Sequence, residues 1–405
     1  MKPPSLSPFQ LATLCLWQQV NASLSAYYKL IQNFDSVDAA IKATSSQWKE
    51  LGIHDKHIDR HKDKNATDIF IEQVKHDISA GHYQILFLED TTYPTQLKQL
   101  FDPPPLLFVK GNTAQLHNAQ IAMVGSRKPS PHAQKITFDM AQYLAQSGYV
   151  VTSGLAQGVD GYAHQGALSQ TDETAKGRTI GVLGTGIDVV YPRHHAQLFQ
   201  QIIADGGCLV SELLPGTPAS KHTFPRRNRL VAGLSLGTIV TEAALNSGSL
   251  ITARLTSEQG KQVFAVPSHI DNANAEGCHH LIREGATLIY HPMQVLDDLQ
   301  YQRQSPHIVV DDKPKSLNNA PSLTTKKTES NATKKPTTSP TIQVDKTANL
   351  PAHLLPVYEL LDWSGVDLDT LVAKRKLDTQ TLLGQLMELE LMGLIMQQGG
   401  RYFKT

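Results

Sequence analysis

"QIAMVGSRKPSPHAQKITFDMAQYLAQSGYVVTSG", residues 120–154, sets two short apolar runs, "QIAMVG" (120–125) and "YVVTSG" (149–154), on either side of a segment in which Pro131 opens a helix. A strand, a turn and a helix leading into another strand is a crossover, and a crossover joins parallel strands. The pattern recurs downstream in "TIGVLG" (179–184), "CLVSE" (208–212), "TIVTEA" (238–243), "QVFAVPS" (262–268) and "ATLIY" (286–290). The first six runs leave room for a helix before the next. Residues 86–300 are therefore expected to form an α/β domain, a Rossmann-like doubly wound, mostly parallel sheet with helices on both faces.

The flanks differ. Residues 1–85 carry apolar groups at helical spacing, Leu11, Leu14, Cys15 and Val20 in one stretch and Val37, Ile41, Trp48 and Leu51 in another, which predicts a small all-helical domain. Its polar stretch "HDKHIDRHKDKN" mixes both signs of charge and reads as a solvated helix surface. Residues 301–348, with "TTKKTESNATKKPTTSPT", hold too few large apolar groups to offset backbone entropy and are expected to be a disordered linker. Residues 349–405 show three helical patterns followed by two short strands around Gly399-Gly400, the plan of a winged-helix domain.

Composition removes several classes of function. The 405-residue chain balances 37 basic against 37 acidic residues, so a polyanion would have to be held by a local patch. Cys15, Cys208 and Cys278 are far apart, which argues against a disulfide scaffold or a thiolate metal site and for a reducing cytoplasm. No apolar run approaches the ~18 residues of a membrane span, so a cytoplasmic chain without membrane attachment is expected. No P-loop sequence occurs. "GTGIDV" has Val189 where a third glycine belongs and "GSRKPS" has one glycine, so neither turn carries the dinucleotide fingerprint. "CHH" (278–280) lacks partner ligands; no metal and no cofactor is expected.

In an open parallel sheet the ligand sits beyond the carboxyl ends of the strands, so the residues after each strand carry the function. Gly125, Ser126 and Arg127 follow the first run and lead into a helix amino terminus, an arrangement suited to phosphate. Ser153, Gly154 and Gly158 follow the second and permit close backbone approach, with Asp160 and His164 one helical turn apart. Arg193 follows the third. "LLPGTPASKHTFPRRNR" adds Lys221, Phe224, Arg227, Asn228 and Arg229 after the fourth. Cations converge on one edge. On a helix Arg226 and Arg229 share a face while Arg227 points elsewhere, so one or two of the three are expected to reach the ligand, with Phe224 either stacking on a base or filling the core. Each glycine turn taken singly is also ordinary turn chemistry.

Taken together and in order, "VGSRKPS", "SGLAQGVDGYAH", "GTGIDVVYP", "SELLPGTPASKHTFPRRNRLVAGLS", "EAALNSGSLITA" and "VFAVPS" closely resemble the DNA-processing protein A family (DprA, also called Smf) over about residues 85–300. The resemblance implies a non-enzymatic protein of natural transformation that binds and protects incoming single-stranded DNA and loads RecA recombinase onto it. It also implies a DNA pocket containing Arg127, Arg193, Phe224, Arg227, Asn228 and Arg229, with Lys221 beside them. A homodimer through "GCHHLIREGATLI" follows too, with His279, Ile282, Arg283 and Leu288 at its interface. Ser268 departs from the family's Val-Pro-Gly pattern. The rival reading is a nucleotide phosphoribohydrolase-like enzyme, whose Pro-Gly-Gly-x-Gly-Thr-x-x-Glu motif "GLSLGTIVTEA" matches poorly: Thr241 takes the glutamate's place and Glu242 comes one residue late, on the opposite face of a strand.

Overall fold

The computed structural model describes residues 6–170, 177–304, 351, 353–361, 366–375, 379–392, 394–398 and 401–404. The chain divides into two compact units near residue 311.

The first unit is built on nine strands: β1 (Gln84–Phe87), β2 (Leu106–Gly111), β3 (Gln120–Val124), β4 (Val150–Ser153), β5 (Thr179–Val182), β6 (Cys208–Ser211), β7 (Gly237–Val240), β8 (Gln262–Ala265) and β9 (Thr287–Leu288). Their order across the sheet is β1-β2-β6-β5-β4-β3-β7-β8-β9. From β6 to β9 every pairing is parallel, with Ile121 beside Val151 and Met123 beside Ile239. The expected doubly wound α/β fold is present. The chain steps outward from β3 through β4, β5 and β6, then returns to the other side of β3 to lay down β7, β8 and β9. That reversal between β3 and β7 is the switch point at which such sheets bind ligands.

Two strands were not expected. β1 and β2 pair antiparallel with each other, and β2 runs antiparallel to β6, with Phe108 opposite Ser211, so the sheet is mixed. Both faces are covered, as buried parallel strands require. Along β3, Ile121 and Met123 pack with Met140, Leu144, Val295 and Leu299 on one face. Ala122 and Val124 join Val182, Val210, Leu230 and Val231 on the other.

The amino-terminal segment is helical from Pro8 to Ser79, in six helices. The first, Pro8–Gln19, starts with a capping box: Ser7 Oγ accepts from Gln10 N–H at 3.2 Å while Gln10 Oε1 accepts from Ser7 N–H at 2.9 Å. Its core is continuous with that of the sheet: Leu14, Trp17 and Leu30 belong to one apolar cluster with Phe108, Leu155, Leu183, Leu209 and Leu213. The stretch read as solvated contributes inward as well. His61 stacks on Trp48 with centroids 4.1 Å apart, and its ring nitrogens lie 3.0 Å from Gln19 Oε1 and 2.9 Å from Ala43 O.

At the other end, the helix Pro292–Gln304 covers the first four residues of the expected linker; residues 305–348 lie outside the described residues. In the second unit the helices Leu355–Tyr358, Leu368–Arg375 and Thr379–Leu391 precede a hairpin of Ile395–Gln398 and Arg401–Lys404, whose turn at Gly399-Gly400 is outside the described residues. A two-residue strand, Val366–Asp367, adds to the hairpin, and Leu371, Leu382, Leu386 and Tyr402 fill the core. This is the winged-helix arrangement.

Candidate nucleic-acid interface

A cleft of about 790 Å³ opens at the switch point. Its walls come from the segments that follow the carboxyl ends of five strands: Gly125–Arg127 after β3, Ala156 and Asp160 after β4, Tyr191 after β5, Ala219–Asn228 in part after β6, and Ala244–Thr252 in part after β7. Of the residues expected in a DNA site, Gly125, Ser126, Arg127, Lys221, Phe224, Arg227 and Asn228 line it.

The turn at 125–127 is fixed by its neighbours. Ser126 N–H donates to Glu242 O at 2.6 Å, and Ser126 O accepts from Val159 N–H at 3.0 Å. A Cβ on Gly125 would lie 2.6 Å from Val159 Cγ2 and 2.8 Å from Glu242 O, so only glycine fits between these two segments. This rigid turn holds Arg127 out at the mouth of the cleft, exposed. Among the described residues neither Arg127 nor Lys221 enters an ion pair.

The three arginines of the helix Thr223–Leu234 divide as their spacing predicts, Arg227 on one side and Arg226 with Arg229 on the other. Arg227 turns toward the cleft and is buried, donating to the carbonyls of Gly154 and Val182, while Arg226 and Arg229 face away. Arg229 is therefore corrected: it is not a cleft residue. Its guanidinium binds Glu212 and, at 3.1 Å, Asp102 O. Arg226 Nε donates to the other oxygen of Glu212 at 2.8 Å, and its guanidinium lies over the Trp17 ring, 5.7 Å from the centroid. Helical periodicity puts Arg226 and Arg229 on one face, and the buried carboxylate of Glu212 decides which way that face looks.

Arg227 has Asp160 as its electrostatic counterpart. Asp160 is buried at the start of the helix Val159–Leu168 and accepts the Gly154 and Ala156 amides at 3.1 and 3.2 Å. Burial raises its pKa, and the Arg227 charge with these amides opposes the rise. Burial likewise lowers that of Arg227, and Asp160 opposes the fall.

The aromatic side of the cleft is Phe224 with Tyr191, whose ring centroids are 5.4 Å apart at 35°. Phe224 packs on the backbone at Gly184, where a Cβ would lie 2.6 Å from its Cδ1. Tyr191 is 46% exposed. It belongs to the quoted "GTGIDVVYP", where its position just before Pro192 gave no sign that its ring reaches the cleft.

The remaining expected residues lie around this cleft. Ser153 is buried beneath it, its hydroxyl donating to Met123 O at 2.6 Å, and Gly154 leaves room for the Arg227 guanidinium, which any Cβ would overlap. Both support the floor and neither lines the cleft. Gly158, with φ +89°, lines a second, neighbouring cleft. Arg193 is exposed in the turn between Tyr191 and His194, outside both clefts. His164 is structural: Thr179 Oγ1 donates to Val151 O at 2.8 Å and so accepts from His164 Nδ1–H at 2.7 Å, and burial pushes the imidazole pKa down to about 3. Glu242 is turned to the helix Pro131–Gln146, where it accepts Ser130 N–H at 3.0 Å and Ser130 Oγ–H at 2.6 Å. Cys278 is buried, with its thiol 3.6 Å from Val240 O, and His279 Nε2 is 3.0 Å from Ser268 O. The adjacent "CHH" side chains thus point to different neighbours.

Residues 84–300 match the DNA recombination-mediator protein A family, and residues 343–401 match the DprA winged helix domain. Protein Smf of Synechocystis sp. is 32% identical over 403 residues, 96% of this chain and 97% of that protein. Protein Smf of Escherichia coli is 43% identical over 220 residues; the match covers 54% of this chain and spans 58% of that relative. The crystal structure of DNA processing protein A from Streptococcus pneumoniae superposes with a TM-score of 0.60 at 32% identity, covering 73% of this chain and 99% of that one. No helix among the described residues is long and apolar enough to cross a membrane. With the doubly wound sheet, the cleft at its switch point and these matches over most of its length, the chain belongs to the DNA recombination-mediator protein A family.

Proposed function

We propose that this protein binds single-stranded DNA in the switch-point cleft and carries out no chemistry on it. The observation that carries the reading is the gathering of Arg127, Lys221 and Arg227 with Phe224 and Tyr191 in one concavity. Guanidinium and ammonium groups on phosphate supply affinity for any sequence, and an aromatic ring accepts any base. A duplex keeps its bases stacked and paired, out of reach of Phe224 and Tyr191; a single strand does not.

The hydrolase alternative needs a carboxylate free to work on a ribose. Glu242 is committed to the Ser130 cap, and Asp160 to two amides and Arg227. In a family of recombination mediators, a sequence-tolerant cleft fits a protein that covers incoming DNA during natural transformation and hands it to RecA recombinase. It acts as a homodimer in this reading. β9 is an outer strand of the sheet, Leu288 on it is 43% exposed and Tyr290 just beyond is 74% exposed, while Arg283 stands exposed on the preceding helix, with Ile282 and His279 half-buried. An exposed apolar edge of this kind is suited to self-association.

The test is a gel-shift comparison of single- and double-stranded DNA of one sequence, run beside incubation with nucleoside monophosphates. Preferential retention of the single strand with intact nucleotides is expected. Equal retention of both forms, or release of free base, overturns the proposal.

A further inference from the structure

A second cleft of about 420 Å³ lies beside the first, and Arg127 lines both. Between them runs the 125–127 turn, pinned against Gly158: a Cβ on Gly158 would come within 2.7 Å of the Arg127 carbonyl carbon. The partition is therefore rigid backbone, with a cationic side chain on its crest.

The chemistry of the second cleft differs from that of the first. Lys128, His194 and His195 line it, with the amides of Gln134, Gln157 and Gln165, and no aspartate or glutamate does. Tyr162 in its wall is half-buried and donates its hydroxyl to Gln134 Oε1 at 2.9 Å. His195 Nδ1 lies 3.0 Å from Leu155 O and donates to it, which fixes the ring and leaves Nε2 as an acceptor. Cations and amides without carboxylates select an anion. Its volume falls within the ~300–1,000 Å³ of small-ligand sites.

We infer that the second cleft is a subsite for the neighbouring nucleotide of the same strand, holding its sugar and phosphate while the first cleft holds a base, with the connecting phosphodiester crossing Arg127. This rests on the single-strand reading above and adds a path to it. Lys128 and His194, both exposed at its rim, are the side chains that reach the second phosphate.

The experiment measures the affinities of thymidine 5′-monophosphate and of thymidine oligonucleotides of two to six residues for the full chain, the Lys128→Ala/His194→Ala variant and the Gln165→Glu variant. Gln165 is exposed, so its replacement is tolerated by the fold and adds a repelling carboxylate. Both variants are expected to bind the monophosphate as the parent does and to lose about tenfold in affinity for oligonucleotides, the size of one charge-assisted contact. Parent-like oligonucleotide affinity in both variants overturns the second subsite and leaves the first cleft standing. Failure of the parent chain to bind any of the ligands overturns both readings.

Discussion

Replacing Glu212 by glutamine tests how the arginine helix is held. The Glu212 side chain is 2% exposed and takes Arg226 Nε on one oxygen at 2.8 Å and the Arg229 guanidinium on the other. Its backbone carbonyl accepts the Trp17 indole N–H at 3.0 Å, which ties the amino-terminal helices to the same point. Glutamine has nearly the same shape but presents one acceptor and one N–H₂ group, so one guanidinium loses its partner and faces a donor. Removing one member of a buried ion pair costs about 3–5 kcal/mol. Arg226 and Arg229 keep partial access to water, at 24% and 12% exposed, which sets the expectation near the lower end, about 3 kcal/mol. Urea unfolding followed by the fluorescence of Trp17 and Trp48, in a Trp363→Phe background, reports the first unit alone. The midpoint is expected to fall with an unchanged slope, and adding Arg226→Met with Arg229→Met to Glu212→Gln should recover part of the loss, because no buried charge is then left unpaired. A loss below about 1 kcal/mol, or no recovery in the triple variant, would refute this account of the helix.

Three other outcomes are expected. His164 is neutral when folded, with its pKa down at about 3 against 6.5 when unfolded; the unfolded chain binds the extra proton between those values, so this group's contribution is complete above pH 6.5 and lost as the pH falls. Stability should therefore drop toward acid with a His164 share of about 1.4 kcal/mol per pH unit, and His164→Gln should flatten that limb in urea titrations at pH 4 to 7. Gly184→Ala pushes a methyl into Phe224 and should weaken single-strand binding by ~1 kcal/mol while leaving its salt dependence unchanged, since stacking is lost and phosphate contacts are kept. Leu288→Glu on the exposed edge strand should shift the mass seen by light scattering from dimer toward monomer; an unaltered dimer removes that interface.

What the sequence disclosed and what it concealed divide along the range of the interactions. β3 to β9 were readable because each is a short apolar run, the first three closed by a glycine turn, and the turns after them named most of the cleft. β1 and β2 were not, because "QILF" and "LLFVKG" become strands by pairing antiparallel with each other and with β6, almost a hundred residues on. The arginine helix shows the same limit. Spacing alone grouped Arg226 with Arg229, but the sign of the orientation came from Glu212, just past the end of β6, and from the Gly154 and Val182 carbonyls that receive Arg227. Tyr191 gave no signal since nothing local distinguishes a tyrosine in a turn from one in a binding wall. Ser153 and Gly154 were flagged by position after a strand, yet they serve the floor beneath the site.

The most direct test of the cationic cleft is the salt dependence of single-stranded oligonucleotide affinity. Plotted as log affinity against log salt, the slope should become shallower by about 0.7 for Arg127→Ala and again for Lys221→Ala, one released counterion each, while Arg229→Ala, behind the helix, leaves it unchanged. Parent-like slopes in both cleft variants, or a reduction in Arg229→Ala equal to theirs, would contradict the account.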